Sequence, residues 1–212
     1  MYRFLTLFAL LVLVIATASN NKIDASPVLK VGSEGQAIPD LQFRLQTLGY
    51  YHLPIDTSFG KATLSAVQRF QKYNGLQSDG IVGPNTWRKL KKLTVNKKEL
   101  SMLARVIYAE ARGENYKGQV AVGAVVMNRL ISPKFPKTVK EIIMEPNAFS
   151  AVRDGQYWLI PNQRAFTAAK AAVKGMDPTG NALFYYNPDI SNSSWFKTRT
   201  ATMKIGNHLF TL

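Results

Sequence analysis

The 212-residue sequence contains no cysteine, which excludes disulfides, thiolate catalysis and every cysteine-based zinc site. Histidine is almost as scarce: His52 and His208 are the only two, too few and too far apart for a dedicated metal site. No metal and no cofactor is therefore expected. Acidic side chains are in short supply too, 13 against 27 lysines and arginines, for a formal charge of +14. A chain this basic is drawn to polyanions, whether nucleic acid, anionic lipid or a cell wall rich in phosphate and carboxylate. A membrane-length apolar run is missing as well. Phe4 to Ile15 is almost wholly apolar but falls short of the ~20 residues that a spanning helix needs. With Arg3 before it and Ala16-Thr17-Ala18 after it, this stretch reads as a secretory signal over residues 1–18, with cleavage as late as residue 26. An uncleaved anchor is the alternative. Export makes nucleic acid an unexpected partner and leaves the wall or the membrane surface.

What is present describes a folded chain: 46% hydrophobic and 19% charged residues are globular proportions. Between residues 31 and 93 the sequence echoes itself. Asp56-Thr57-Ser58-Phe59-Gly60-Lys61-Ala62-Thr63 is matched 23 residues later by Asp79-Gly80-Ile81-Val82-Gly83-Pro84-Asn85-Thr86. Each copy reads as a turn into a helix, with Gly easing the entry and Asp or Thr satisfying free helix N–H groups. Ile38, Leu41, Leu45 and Leu48 recur at helical spacing, as do Leu64, Val67 and Phe70. Gly49 and Gly75 stand where helix C-terminal glycines belong. The spacing predicts a three-helix bundle. Arg88, Lys89, Lys91, Lys92, Lys97 and Lys98 follow without an acidic residue among them, which suits a helix end running into a basic linker over 94–98.

A second composition starts near residue 99. Leu100, Leu103, Ala104, Ile107 and Ala111 mark one helix face, with Gly113 as its breaker. Val120 to Met127 is apolar nearly all round and predicts a buried helix in which Gly123 permits close approach. Thr138-Val139-Lys140-Glu141 has capping-box form, and Arg164 to Lys174 predicts an Ala-rich helix ending at Gly175. Ala182 to Tyr186 and the two runs flanking Gly206-Asn207 predict strands, the latter pair a hairpin. The fold class is α+β and mostly helical: a small helical bundle over 31–93, then an α+β domain over 99–212 with a small antiparallel sheet.

Acids that could do chemistry are few in this second region. Glu141 has a capping role, while Glu145, Asp154, Asp177 and Asp189 neighbour proline or glycine and read as turn or helix-end residues. Glu110 falls beside Leu103 and Ile107 on a helical wheel, at the edge of the buried stripe. Partial desolvation there favours the neutral, proton-donating carboxyl, and Glu114 lies one turn on. Spacing alone leaves open whether both are surface glutamates beside Arg105 and Arg112.

Residues 31–93 resemble the peptidoglycan-binding family of three-helix modules. The resemblance rests on Leu45-Gln46-Thr47-Leu48-Gly49-Tyr50-Tyr51, Ile55-Asp56-x-x-Phe59-Gly60-x-x-Thr63, Ala66-Val67-x-x-Phe70-Gln71-x-x-Asn74-Gly75-Leu76 and Asp79-Gly80-Ile81-Val82-Gly83-x-x-Thr86-Trp87. Thr57, where the family usually has Gly, and Leu53-Pro54 depart from the pattern. Residues 99–212 resemble the spore cortex-lytic enzyme SleB family of wall hydrolases, which implies a lysozyme-like core. The stretches that carry this are Ala104 to Glu114, with its Glu-Ala-Arg-Gly-Glu run, Gly118 to Asn128-Arg129, Phe149-Ser150-Ala151-Val152-x-Asp154-Gly155-Gln156, Tyr185-Tyr186-Asn187-Pro188 and Ile205-Gly206-x-His208-x-Phe210.

The resemblance implies that Glu110 is the catalytic acid and that Glu114 supports it. Phe149, Ser150, Tyr186, Asn187 and His208 lie in motif stretches and are candidates to line a sugar groove, with Trp195 as an exposed platform. The implied reaction is lytic transglycosylation of peptidoglycan, giving 1,6-anhydro ends, on spore cortex during germination. The absence of an obvious second carboxylate fits, because one acid/base residue suffices there. Glycan strands are the expected partner, with a spore protein that stabilises or inhibits the enzyme as another. A monomer in the wall, cortex or coat region is expected. The competing expectations are an amidase, whose usual zinc ligands are missing, a hydrolytic muramidase of vegetative wall, and a non-catalytic wall-binding protein.

Overall fold

The computed structural model describes residues 26–191 and 194–212; the expected signal segment lies outside them. The first region forms helices α1 (Ala37–Thr47), α2 (Lys61–Tyr73) and α3 (Pro84–Leu93). Their apolar faces meet over Ile38, Leu41, Leu45, Val67, Phe70, Trp87 and Leu90, with Tyr51 and Phe59 brought in by the connections. Pro84 opens α3 at a position where its missing N–H costs nothing.

The repeated Asp motif has a partner that its spacing does not reveal. Gln42 on α1 and Gln71 on α2 are fully buried, and each side-chain amide is bound to one copy. Gln42 Nε2 donates to Asp56 Oδ1, Ser58 O and Thr63 Oγ1 at 2.8, 3.2 and 3.1 Å. Gln71 Nε2 donates to Asp79 Oδ1, Ile81 O and Thr86 Oγ1 at 3.0, 2.9 and 3.2 Å. The echo is thus two turns pinned from below by the same chemistry. They differ where the sequences differ. In the second copy Gly80 takes φ +77° and donates its N–H to Gln71. In the first, Asp56 donates its own N–H instead, and Thr57 is spared a left-handed conformation.

Helix α4 (Lys97–Ala111) begins earlier than its apolar face suggests. Asn96 and Glu99 close a reciprocal capping box, with Glu99 N–H to Asn96 at 2.8 Å and Asn96 N–H to Glu99 at 2.9 Å. Lys97 and Lys98 are therefore the first turn of α4 and not linker. The connection is residues 94–96 alone, and it is not solvated. Val95 is buried, and the buried Arg44 donates to Thr94 O and Oγ1, both at 3.1 Å.

Helices α4, α5 (Tyr116–Ile131) and α8 (Gln163–Val173) pack on one another and hold the second core. Gly123 on α5 makes this possible: a Cβ there would stand 2.9 Å from both Ile107 and Ala172 side-chain carbons. Between α5 and α8 lie α6 (Val139–Met144), the short α7 (Ser150–Arg153) and a 3₁₀ turn, Gln156–Trp158. Thr138 caps α6 through the Glu141 N–H, as its motif predicts. After α8 come strand β1 (Phe184–Tyr186), the short α9 (Ser194–Lys197), and the hairpin β2 (Ala201–Ile205) and β3 (His208–Thr211). The sheet is antiparallel in the order β1-β3-β2, and the hairpin turns at Gly206, φ +56°. Tyr185 pairs with Phe210 across β1 and β3, and the sheet packs on α5, where Ile205 and Phe210 meet Ala121 and Val125.

Candidate active site

Glu110 stands on the final turn of α4, half-buried, because Leu103 and Ile107 of the same helix face are anchored in the core. Its carboxylate is held on three sides. Oε1 accepts the Ala151 backbone N–H at 2.8 Å and the Ser150 hydroxyl at 3.2 Å; Oε2 accepts the Tyr185 phenol at 3.0 Å. The first two donors come from the start of α7 and the third from β1, so two elements far apart in sequence converge on one side chain of α4.

The Tyr185 ring is packed by Phe149, His208 and Phe210, with centroids 6.4, 5.1 and 5.7 Å away. Burial, then the negative charge of Glu110, pushes its phenol well above the usual tyrosine value. It stays a hydrogen-bond donor at any pH near neutral.

Glu110 opens into a groove of about 770 Å³. Five of the six expected supporting residues line it: Phe149, Ser150, Tyr186, Asn187 and His208. Trp195 lines it too and is about half exposed. Glu114 is absent from the lining. It sits under the hairpin turn, where a Cβ on Gly206 would come within 1.7 Å of its Oε2 and one on Gly118 within 2.9 Å of its Cβ. From there Oε1 accepts the Asn207 N–H at 3.4 Å and lies 3.9 Å from His208 Nδ1. Glu114 therefore touches the groove only through His208. Burial lowers the His208 imidazole below its ordinary value, against the opposing pull of Glu114 and Glu110, which leaves the ring neutral at neutral pH.

Asp177 and Glu145 stand at a loop and a helix end, as expected. Asp177 is a loop clasp: burial alone would raise its carboxyl, but bonds from Thr179, Asn128 and Asn181 outweigh that and hold it below the usual range. Glu145 ends α6, the helix-end place that its proline neighbour suggests, and is in addition an exposed lining residue of the groove. Arg129 and Tyr185 also line the groove; both lie in the motif stretches but were not among the expected site residues. Tyr185 was adjacent to the chosen Tyr186, and only strand register distinguishes them. Arg129 was inside a recognised stretch, but its surroundings come from residues 135, 149 and 184. Among the described residues no three of His, Asp and Glu come together as a metal-binding group.

Comparison with known proteins adds to this geometry. A family model of Cell Wall Hydrolase matches residues 113–211, and one of a peptidoglycan binding domain matches residues 34–90. A spore cortex-lytic enzyme of Bacillus cereus is 38% identical, the match covering 88% of this chain and 86% of the relative. The chain belongs to the spore cortex-lytic enzyme family. Another member, from Oceanobacillus iheyensis, is 37% identical over 86% of each chain. Among solved structures, the catalytic domain of the germination-specific lytic transglycosylase SleB from Bacillus anthracis superposes with a TM-score of 0.53. It is 50% identical and covers 56% of this chain and 97% of that one. Glu110 stands three residues before the Cell Wall Hydrolase match begins, so the proposed acid is contributed by the helix leading into the matched segment.

Proposed function

We propose that this spore cortex-lytic family member is a lytic transglycosylase that cuts the peptidoglycan glycan strand, with Glu110 as its sole acid/base. The observation that carries the reading is the Glu110 carboxyl at the groove, fixed by three donors. An ionised carboxylate offers about four acceptor sites; Ala151 and Ser150 take those of Oε1 and Tyr185 one on Oε2, which the Ser150 hydroxyl approaches besides only at the long distance of 3.5 Å. Oε2 carries the proton delivered to the glycosidic oxygen, which breaks the C1–O bond. The resulting carboxylate takes the proton of the sugar's C6 hydroxyl as that oxygen bonds to C1. The ring closes as a 1,6-anhydro sugar, the acid is regenerated, and no water is consumed. Ala151 N–H and the Tyr185 phenol hold the carboxyl still in both protonation states, and the Ser150 hydroxyl turns to donate or accept as needed.

The supporting roles follow from position. Tyr186, Asn187 and Trp195 are the groove's contacts for the sugar rings. Phe149 and His208 pack the phenol that binds Glu110, and Glu114 steadies His208. Residues 31–93 are the wall-binding module and 99–212 the catalytic one, and residues 1–18 direct export to the wall or cortex region. The relatives' names point to spore cortex as the substrate and germination as the occasion. Catalysis by a monomer suits a groove built from one chain.

One observation favours a second reading. Glu145 supplies another carboxylate to the groove, and two flanking carboxylates are what a hydrolytic muramidase uses. Digesting purified spore cortex and vegetative wall in parallel, with mass spectrometry of the released ends, decides between them. Anhydro ends, preferentially from cortex, are expected; reducing ends heavier by one water would replace this mechanism with hydrolysis.

A further inference from the structure

Arg129 carries a charge that the described protein does not neutralise. The residue is 5% exposed, yet among the described residues no carboxylate lies within 4 Å of its guanidinium, and its one hydrogen bond is Nε–H to Leu183 O at 2.8 Å. Three rings surround it: Phe149, Phe135 and Phe184 have centroids 5.1, 5.2 and 5.4 Å from Cζ. Ring faces attract a cation, but at a fraction of the several kcal/mol that removing it from water costs. The Nη groups, with their fork of donors, are left without a protein acceptor. The residue lines the same groove as Glu110, so an anion can reach it from there. Burial has lowered the guanidinium's proton affinity, partly offset by Tyr185 and Glu145, as expected of a cation lacking a close counter-ion.

We propose that Arg129 is the anchor of a carboxylate-binding subsite in the groove, reading a stem-peptide carboxylate carried by the glycan strand. The assignment rests on the glycan-cutting reading above. A planar guanidinium with free Nη groups matches a carboxylate in a two-point contact, and the aromatic walls hold the fork at a fixed angle. Sugar hydroxyls and acetamido groups are neutral and would leave the charge uncompensated. Among substituents of a peptidoglycan strand, the carboxylates of the stem peptides answer that need. Arg129 is then a positioning residue that selects which muramic acid lies next to Glu110. Glu145, exposed in the same groove, is the protein's own competitor for the same cation.

The test uses the wild-type chain and two forms of one wall preparation, the second with its stem-peptide carboxylates converted to amides. Wild type should release anhydro ends from the native form with kcat/KM about 10-fold higher or more, the size of a charge-assisted contact, the difference lying mainly in KM. In Arg129→Lys and Arg129→Met that ratio should fall towards one, whatever the absolute rate. Equal kcat/KM on the two forms with the wild type overturns the subsite even if neither variant folds. So does a ratio unchanged in a folded Arg129→Met. A wild type that releases no anhydro ends from either form instead overturns the transglycosylase reading.

Discussion

At the scale of single residues, the chemistry turns on how many partners Glu110 already has. Tyr185 is the donor whose loss should be felt most, because it is the near donor to Oε2, at 3.0 Å against 3.5 Å for the Ser150 hydroxyl. A hydrogen bond to a charged group contributes about 1.5–3 kcal/mol, so Tyr185→Phe should slow glycan cleavage by ~10- to 100-fold while circular dichroism is unchanged. A rate within about 2-fold of wild type would mean that the phenol does not orient the acid. His208 offers a different readout, stability against pH. Its folded-state value is lowered by burial, so the unfolded chain binds this proton more readily than the folded one. The sign follows: stability is intact above the ordinary histidine value of about 6.5, declines as pH falls through it, and levels off below the folded value. Urea midpoints between about pH 7.5 and 5 should fall in the wild type and fall less in His208→Gln. Equal slopes would remove the imidazole from the account.

At the scale of elements, the buried glutamines control the two turns of the first bundle. The buried Gln71 side chain makes four hydrogen bonds, three through Nε2 and one through Oε1. Gln71→Ala strands the Gly80 N–H and leaves a cavity, and should lower the unfolding free energy by about 3 kcal/mol in urea titration. A loss under about 1 kcal/mol would show that the turn holds without its pin. The glutamines also show what was legible in the sequence. The Asp-x-x-apolar-Gly-x-x-Thr echo could be seen because both copies are local. The partners could not, because Gln42 lies 14 residues before its Asp and Gln71 only 8 before its own. Helices α1, α2, α5 and α8 were legible because long apolar stripes overdetermine them. The start of α4 was missed because a capping box, not an apolar face, sets it. Helix α7 and the 3₁₀ turn are too short for any periodicity, and one of them delivers two of the three donors to Glu110. Of the three donors to Glu110, the sequence therefore offered Ser150 through its motif stretch, but not the Ala151 N–H or the Tyr185 phenol.

At the scale of the whole molecule, two cores are joined through a short buried connection and one buried arginine, Arg44, which also pairs with Asp40 at 3.1 Å. The net charge of +14 acts over this whole body and favours an anionic wall before any specific contact forms. Attraction of this kind is screened, so retention on purified wall should weaken by about 10-fold as salt rises from ~0.05 to ~0.5 M. Retention independent of salt would assign wall affinity to the first module's contacts alone. The account as a whole depends on the carboxyl at the end of α4. Glu110→Gln keeps its shape and its bond from Ala151 while removing the proton that the reaction needs, so anhydro-muropeptide release should fall by about 10³-fold with the thermal midpoint little changed. Release of anhydro ends from spore cortex by a folded Glu110→Gln at the wild-type rate would contradict it.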